Sequence, residues 1–141
     1  MKYIVDEDKI LLSINKGENI NSSILEAAKE NNLIFGWVNG IGAIFDPEIG
    51  YWDIQNKKYV KKIMKGEFEI TSLVGNITYK EEELFVHSHI TFTDTDFRAY
   101  GGHLFDSEIA AAGEFIIFKG KNKIERSYSN EVGLYLWDCK F

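Results

Sequence analysis

Only one stretch of this chain carries helical periodicity. Ile20, Ile24, Ala27 and Ala28 recur at spacings of three and four, with Leu25 flanking them. Asn19 stands where an N-cap belongs, because its side-chain oxygen can accept from a free amide of the first turn. Asn31-Asn32 supplies a stop. The spacing predicts one helix of about three turns. Elsewhere the segments Lys9 to Ile14, Phe68 to Leu73, Asn76 to Tyr79, Leu84 to Phe92 and Phe115 to Phe118 have the Ile, Leu, Val and Phe content of strands. One helix among many strands predicts an α+β fold, a mostly antiparallel β-sheet with one main α-helix. A doubly wound fold needs β and α patterns in alternation, and that alternation is missing. With 141 residues, the chain is expected to form a single domain over 1–141.

Composition narrows the function classes. An apolar share of 45% supplies a core and excludes a largely disordered chain. One cysteine, Cys139, excludes an internal disulfide framework and a cysteine zinc site. No run approaches the roughly 18 apolar residues of a membrane span, and the start is no signal peptide, so no membrane partner and a cytoplasmic location are expected. A net charge of −6 disfavours non-specific nucleic-acid binding, which depends on neutralising phosphates. The stretch Gly36 to Phe45 contains Gly40-x-Gly42, but no helix pattern follows and Phe45 replaces the third small residue. It reads as tight turns and close strand packing rather than a dinucleotide loop.

The informative segment is Leu84-Phe85-Val86-His87-Ser88-His89-Ile90-Thr91-Phe92. On a strand, Leu84, Val86, Ser88, Ile90 and Phe92 share one face, which is apolar enough to face the core. Phe85, His87, His89 and Thr91 share the other, with the histidine Cα atoms roughly 6.5–7 Å apart. Asp94 to Asp96 is turn chemistry. A reversal about position 96 returns His103 almost opposite His89, and Gly101-Gly102 permits a bulge or a close approach. Three imidazoles on one sheet face suit zinc, and also nickel, iron or copper, with a fourth position open to water. Glu69 and Glu114, both in apolar strand-like surroundings, are candidates for outer-shell carboxylates. Lys57, Lys58, Lys61, Lys62 and Lys65 read as a solvated hairpin whose charges discourage edge pairing, with a phosphate patch as the alternative. Trp37, Trp52 and Trp137 are candidates for core or interface. A Ser72, His87, Asp94 triad has no nucleophile elbow to support it.

Several motifs together resemble the PPC domain family (plant and prokaryote conserved). Gly17-Glu18-Asn19-Ile20 is similar to the family's helix start, and Gly40-Ile41-Gly42-Ala43 to its G-I-G-A turn. Gly66 to Ile77 is similar to its G-x-x-E-I-x-S-L-x-G-x-I stretch. His87-Ser88-His89 and Gly101-Gly102-His103-Leu104 resemble its H-x-H and G-G-H-L, and Glu114 falls on its late acidic position. The matches run in order from about residue 9 to residue 118. The resemblance implies an antiparallel sheet carrying one helix, assembly as a homotrimer, and a metal on His87, His89 and His103, with Zn2+ the first expectation. It also implies a DNA-binding or regulatory role. Plant members pair the domain with AT-hook segments built on Arg-Gly-Arg. This chain has no Arg-Gly-Arg and only two arginines, Arg98 and Arg126, so any DNA binding is expected to be weak. Two other roles stand beside the regulatory one. The first is a metal-dependent enzyme of unknown substrate, in which a metal-bound water is the nucleophile and Glu69 or Glu114 the general base. The second is a module that senses a small molecule at the metal.

Overall fold

The computed structural model describes residues 1–139. Nine strands and one helix follow in the order β1 (Lys2–Asp6), β2 (Lys9–Asn15), α1 (Ile20–Glu30), β3 (Gly36–Asp53), β4 (Lys58–Ile63), β5 (Glu67–Lys80), β6 (Glu83–Thr93), β7 (Ala99–Lys119), β8 (Glu125–Ser129) and β9 (Leu134–Asp138). Every pairing is antiparallel except a short parallel contact of β5 with β8. β3 pairs with β5 and β7, and β6 pairs with the same two strands. These four strands therefore pair around a closed circuit, which leaves little free edge at their centre.

The expected α+β content is present: mostly sheet, with one short helix. Alternation decides which side of each strand is buried. Ile10, Leu12 and Ile14 of β2, Ile90 and Phe92 of β6, and Leu104, Ile109 and Ile117 of β7 all turn inward and are essentially without exposure. Ile20, Ile24, Ala27 and Ala28 of α1 meet them, as the helical spacing predicts. Leaving water contributes about 2 kcal/mol for each large aliphatic side chain so buried. The two alanines keep the helix close to the sheet.

Three expectations need correction. Asn19 occupies the N-cap position with extended dihedrals, but its side chain makes no cap. Asp106 of β7 caps the helix instead: its Oδ1 accepts from the backbone amide of Asn21 at 3.0 Å, and its Oδ2 from the hydroxyl of Ser22 at 3.1 Å. The second correction concerns Gly40 and Gly42, which form no turn. They lie inside the eighteen-residue β3, where register shifts mark bulges. The close-packing half of that expectation holds, since a Cβ at Gly40 would sit 1.9 Å from the Phe115 ring. Third, Phe68 to Leu73 and Asn76 to Tyr79 are not separate segments but one continuous strand, β5.

The lysine-rich segment is a hairpin arm as read. β4 pairs with β3, and most of its residues are exposed. Lys61 also lies 3.5 Å above the ring of Phe105. Among the described residues, no helix is long and apolar enough to cross a membrane.

Candidate metal centre

The β6–β7 hairpin builds the site. Asp94 organises its turn: Oδ1 accepts from the amides of Asp96 at 2.9 Å and Arg98 at 3.0 Å. The reversal puts His89 directly opposite His103, as the sequence predicts. His103 also pairs with Gly50 of β3, while His87 pairs with Asn76 of β5. Gly102 serves close approach rather than a bulge, for a Cβ there would meet the Gly50 carbonyl oxygen at 2.8 Å.

The three imidazoles converge. Their ring centroids lie 5.1–5.5 Å apart. One ligating nitrogen from each can be chosen so that all lie within 4.8 Å of one another. His103 Nδ1 is buried and has no hydrogen-bond partner among the described residues. A buried nitrogen without a partner carries a desolvation cost that a bound cation would remove. Burial, reinforced by Arg126 and then the other two histidines, pushes His87 down to about 4. Burial, followed by His89, Lys61 and Arg126, does the same for His103. Both rings are therefore neutral at pH 7, the state a metal requires. Donor type, convergence and protonation all fit a divalent transition metal.

Asn21, in the first turn of α1, locks the histidine strands together. Its Nδ2 donates to the carbonyls of Leu104 and Phe105, just after His103, at 3.1 and 3.0 Å. Its Oδ1 accepts at 2.9 Å from the hydroxyl of Ser88, the fully buried residue between His87 and His89. The Asp106 cap fixes the turn that carries Asn21. Helix, His-x-His strand and His103 strand are thus tied through one side chain.

A cavity of about 360 Å³ opens over His87 and His103, walled by Tyr59, Phe85, Phe105, Leu134 and Leu136. Arg126, from β8, completes its wall. Its Nη2 points at His87 Nδ1 from 3.2 Å. Sequence reasoning did not place Arg126 or Tyr59 here. Glu69 and Glu114 are exposed and do not line this cavity within one chain. Glu114 lies instead across from Ser13 and Ile41, on the far stretch of β7. Ser72 and Asp94 are likewise absent from the cavity wall.

Residues 1–121 match the model of the Plants and Prokaryotes Conserved (PCC) domain, the family also written PPC. The chain belongs to this family. PCC-domain relatives of known structure share its fold closely. A "putative DNA binding protein" from Bacteroides thetaiotaomicron is 32% identical, with a TM-score of 0.94 over 97% of this chain and 96% of that one. A plant- and prokaryote-conserved protein from Pyrococcus horikoshii is 31% identical, with a TM-score of 0.87 over 99% and 96% of the two chains. A protein from Archaeoglobus fulgidus described as metal-containing is 33% identical, with a TM-score of 0.85 over 96% of each. No curated protein matches the chain.

Proposed function

We propose that this PCC-domain chain, a single domain over 1–141, holds one divalent transition metal on His87, His89 and His103, with Zn2+ favoured, and acts in the cytoplasm as a regulatory homotrimer. The observation that carries the metal is the meeting of three imidazoles around a buried His103 Nδ1 that has no hydrogen-bond partner among the described residues. The metal-containing relative supports it. When bound, the ion would supply a Lewis-acid centre and an open coordination position. The test is a competition titration against a coloured zinc chelator. One equivalent per chain, lost in His103→Ala, is expected. An unchanged affinity in that variant would overturn the assignment.

Self-association draws support from the sheet face opposite α1. Ile4, Leu11, Ile41 and Ile116 border a broad open depression there, and Ile4 and Ile41 are 67% and 54% exposed. An apolar patch of this kind marks an association surface, and head-to-tail contacts that close make a ring. A DNA-associated role rests on the description given to relatives. The charge of −6 and the placement of Arg126 inside the cavity support only weak, salt-dependent and sequence-independent binding.

The cavity above the histidines favours a second reading, in which the centre binds or transforms a small molecule. Glu69 or Glu114 would serve as general base only if assembly brings it from another subunit.

A further inference from the structure

Arg126 is a cation held partly inside the cavity; it also borders a neighbouring depression with Glu81, Glu82 and Glu125, yet forms no ion pair among the described residues. Its partners are all neutral: Nε donates to Thr78 Oγ1 at 2.8 Å, Nη1 to the Tyr135 carbonyl at 3.0 Å, and Nη2 to Asn76 Oδ1 at 2.8 Å. Its fourth contact is His87 Nδ1 at 3.2 Å. Among the described residues no carboxylate lies within ion-pair reach of it, and none lines the cavity.

Metal loading changes this arrangement in a way that simple valence dictates. A guanidinium only donates, so His87 Nδ1 must accept, using the one lone pair of a neutral imidazole. A metal takes that same lone pair. If it binds Nδ1, the pair is used directly. If it binds Nε2, the ring proton moves to Nδ1. In either case Arg126 loses His87 as an acceptor. Of its five N–H groups, three stay with Thr78, Tyr135 and Asn76. That leaves one free N–H on each terminal nitrogen. A divalent ion, a guanidinium and the ammonium of Lys80 would then share one cavity with no negative group among the described residues of its wall.

We propose that the metal-loaded cavity binds a small organic carboxylate, with the carboxylate on Arg126 beside the metal and an apolar body against Tyr59, Phe85, Phe105, Leu134 and Leu136. The inference rests on the metal reading above. A two-pronged donor matches a planar carboxylate. The aromatic and aliphatic walls favour a carboxylate with an apolar body over a compact, strongly hydrated anion such as phosphate. Binding is coupled: the anion offsets charge that the metal brings, so each tightens the other by the same factor.

The experiment is calorimetric titration of the full chain with benzoate, in zinc-loaded and zinc-free forms, beside acetate, the uncharged benzamide and inorganic phosphate. Benzoate is expected to bind the zinc-loaded form at least about tenfold tighter than the zinc-free form, and tighter than the other three. Arg126→Gln should keep its zinc and weaken benzoate about tenfold or more. Cobalt substitution gives a second readout. The visible spectrum of the wild type should shift with benzoate, and that of Arg126→Gln should not. Zinc-independent benzoate binding, equal binding of benzamide, tighter binding of phosphate, or unchanged affinity in Arg126→Gln would overturn the proposal. If Arg126→Gln does not fold, the four wild-type comparisons still decide. Zinc binding without benzoate binding refutes the carboxylate proposal alone; no zinc binding refutes the metal reading with it.

Discussion

Replacing Asn21 with alanine tests whether one side chain ties the helix to both histidine strands. The substitution removes two donated bonds, to the Leu104 and Phe105 carbonyls, and the acceptor for Ser88 Oγ. Ser88 has no exposure, so its hydroxyl is left without a partner in the interior. One buried unsatisfied group costs about 1–3 kcal/mol. The two carbonyls are less costly, since Asn21 is only partly buried and water can reach its place. The total is about 3 kcal/mol, read as a shift in urea midpoint at constant slope and fixed protein concentration. Ser88→Ala alone should cost about 1 kcal/mol, because the Asn21 oxygen it abandons can be rehydrated. The double variant should cost well under the sum, since Ser88→Ala removes the hydroxyl that Asn21→Ala strands. A loss below about 1 kcal/mol for Asn21→Ala, or simple additivity of the pair, would refute this placement of the binding energy.

Other predictions follow from the same contacts. In metal-free protein, His87 and His103 stay neutral down to about pH 4, while unfolded histidines protonate near 6.5. Their contribution to stability is therefore complete above pH 6.5 and lost as pH falls toward 4. A slope of about 1 kcal/mol per pH unit for the pair, after discounting for partial exposure, is expected in urea titrations. Bound metal should be released over the same acid range, which dialysis followed by metal analysis would show. Ile41→Lys places a charge on the apolar sheet face and should yield folded monomers by light scattering. A trimeric mass for that variant would remove this face from the assembly. Gly40→Ala drives a methyl group into the Phe115 ring and should cost about 2 kcal/mol or more; a neutral thermal melt would mean that the ring moves freely.

The histidine site was legible in the sequence because it is local. His87 and His89 share a face by strand alternation alone, and Asp94 announces the turn that brings back His103. The helix was legible for the same reason, through the spacing of Ile20, Ile24, Ala27 and Ala28. What escaped depends on distant pairing. Asp106 caps α1 from 85 residues away, whereas local spacing points only to Asn19. Arg126 reaches His87 only because β8 runs parallel to β5 for two residues, beyond the segment that carried the family motifs. Arginine, present only twice in this lysine-rich chain, was the only available hint. The Gly40 and Gly42 pair was misplaced because glycine marks both turns and close strand contacts. The partner, Phe115, lies 75 positions on, and only the β3–β7 register names it.

The most direct measurement is X-ray absorption at the zinc edge on the zinc-loaded chain, beside His87→Ala/His89→Ala. Three imidazole nitrogens at about 2.0–2.1 Å, with one further light atom, are expected for the wild type. The double variant should lose that signature. Zinc surrounded by oxygens alone, or an unchanged spectrum in the variant, would contradict the assignment of the metal to His87, His89 and His103.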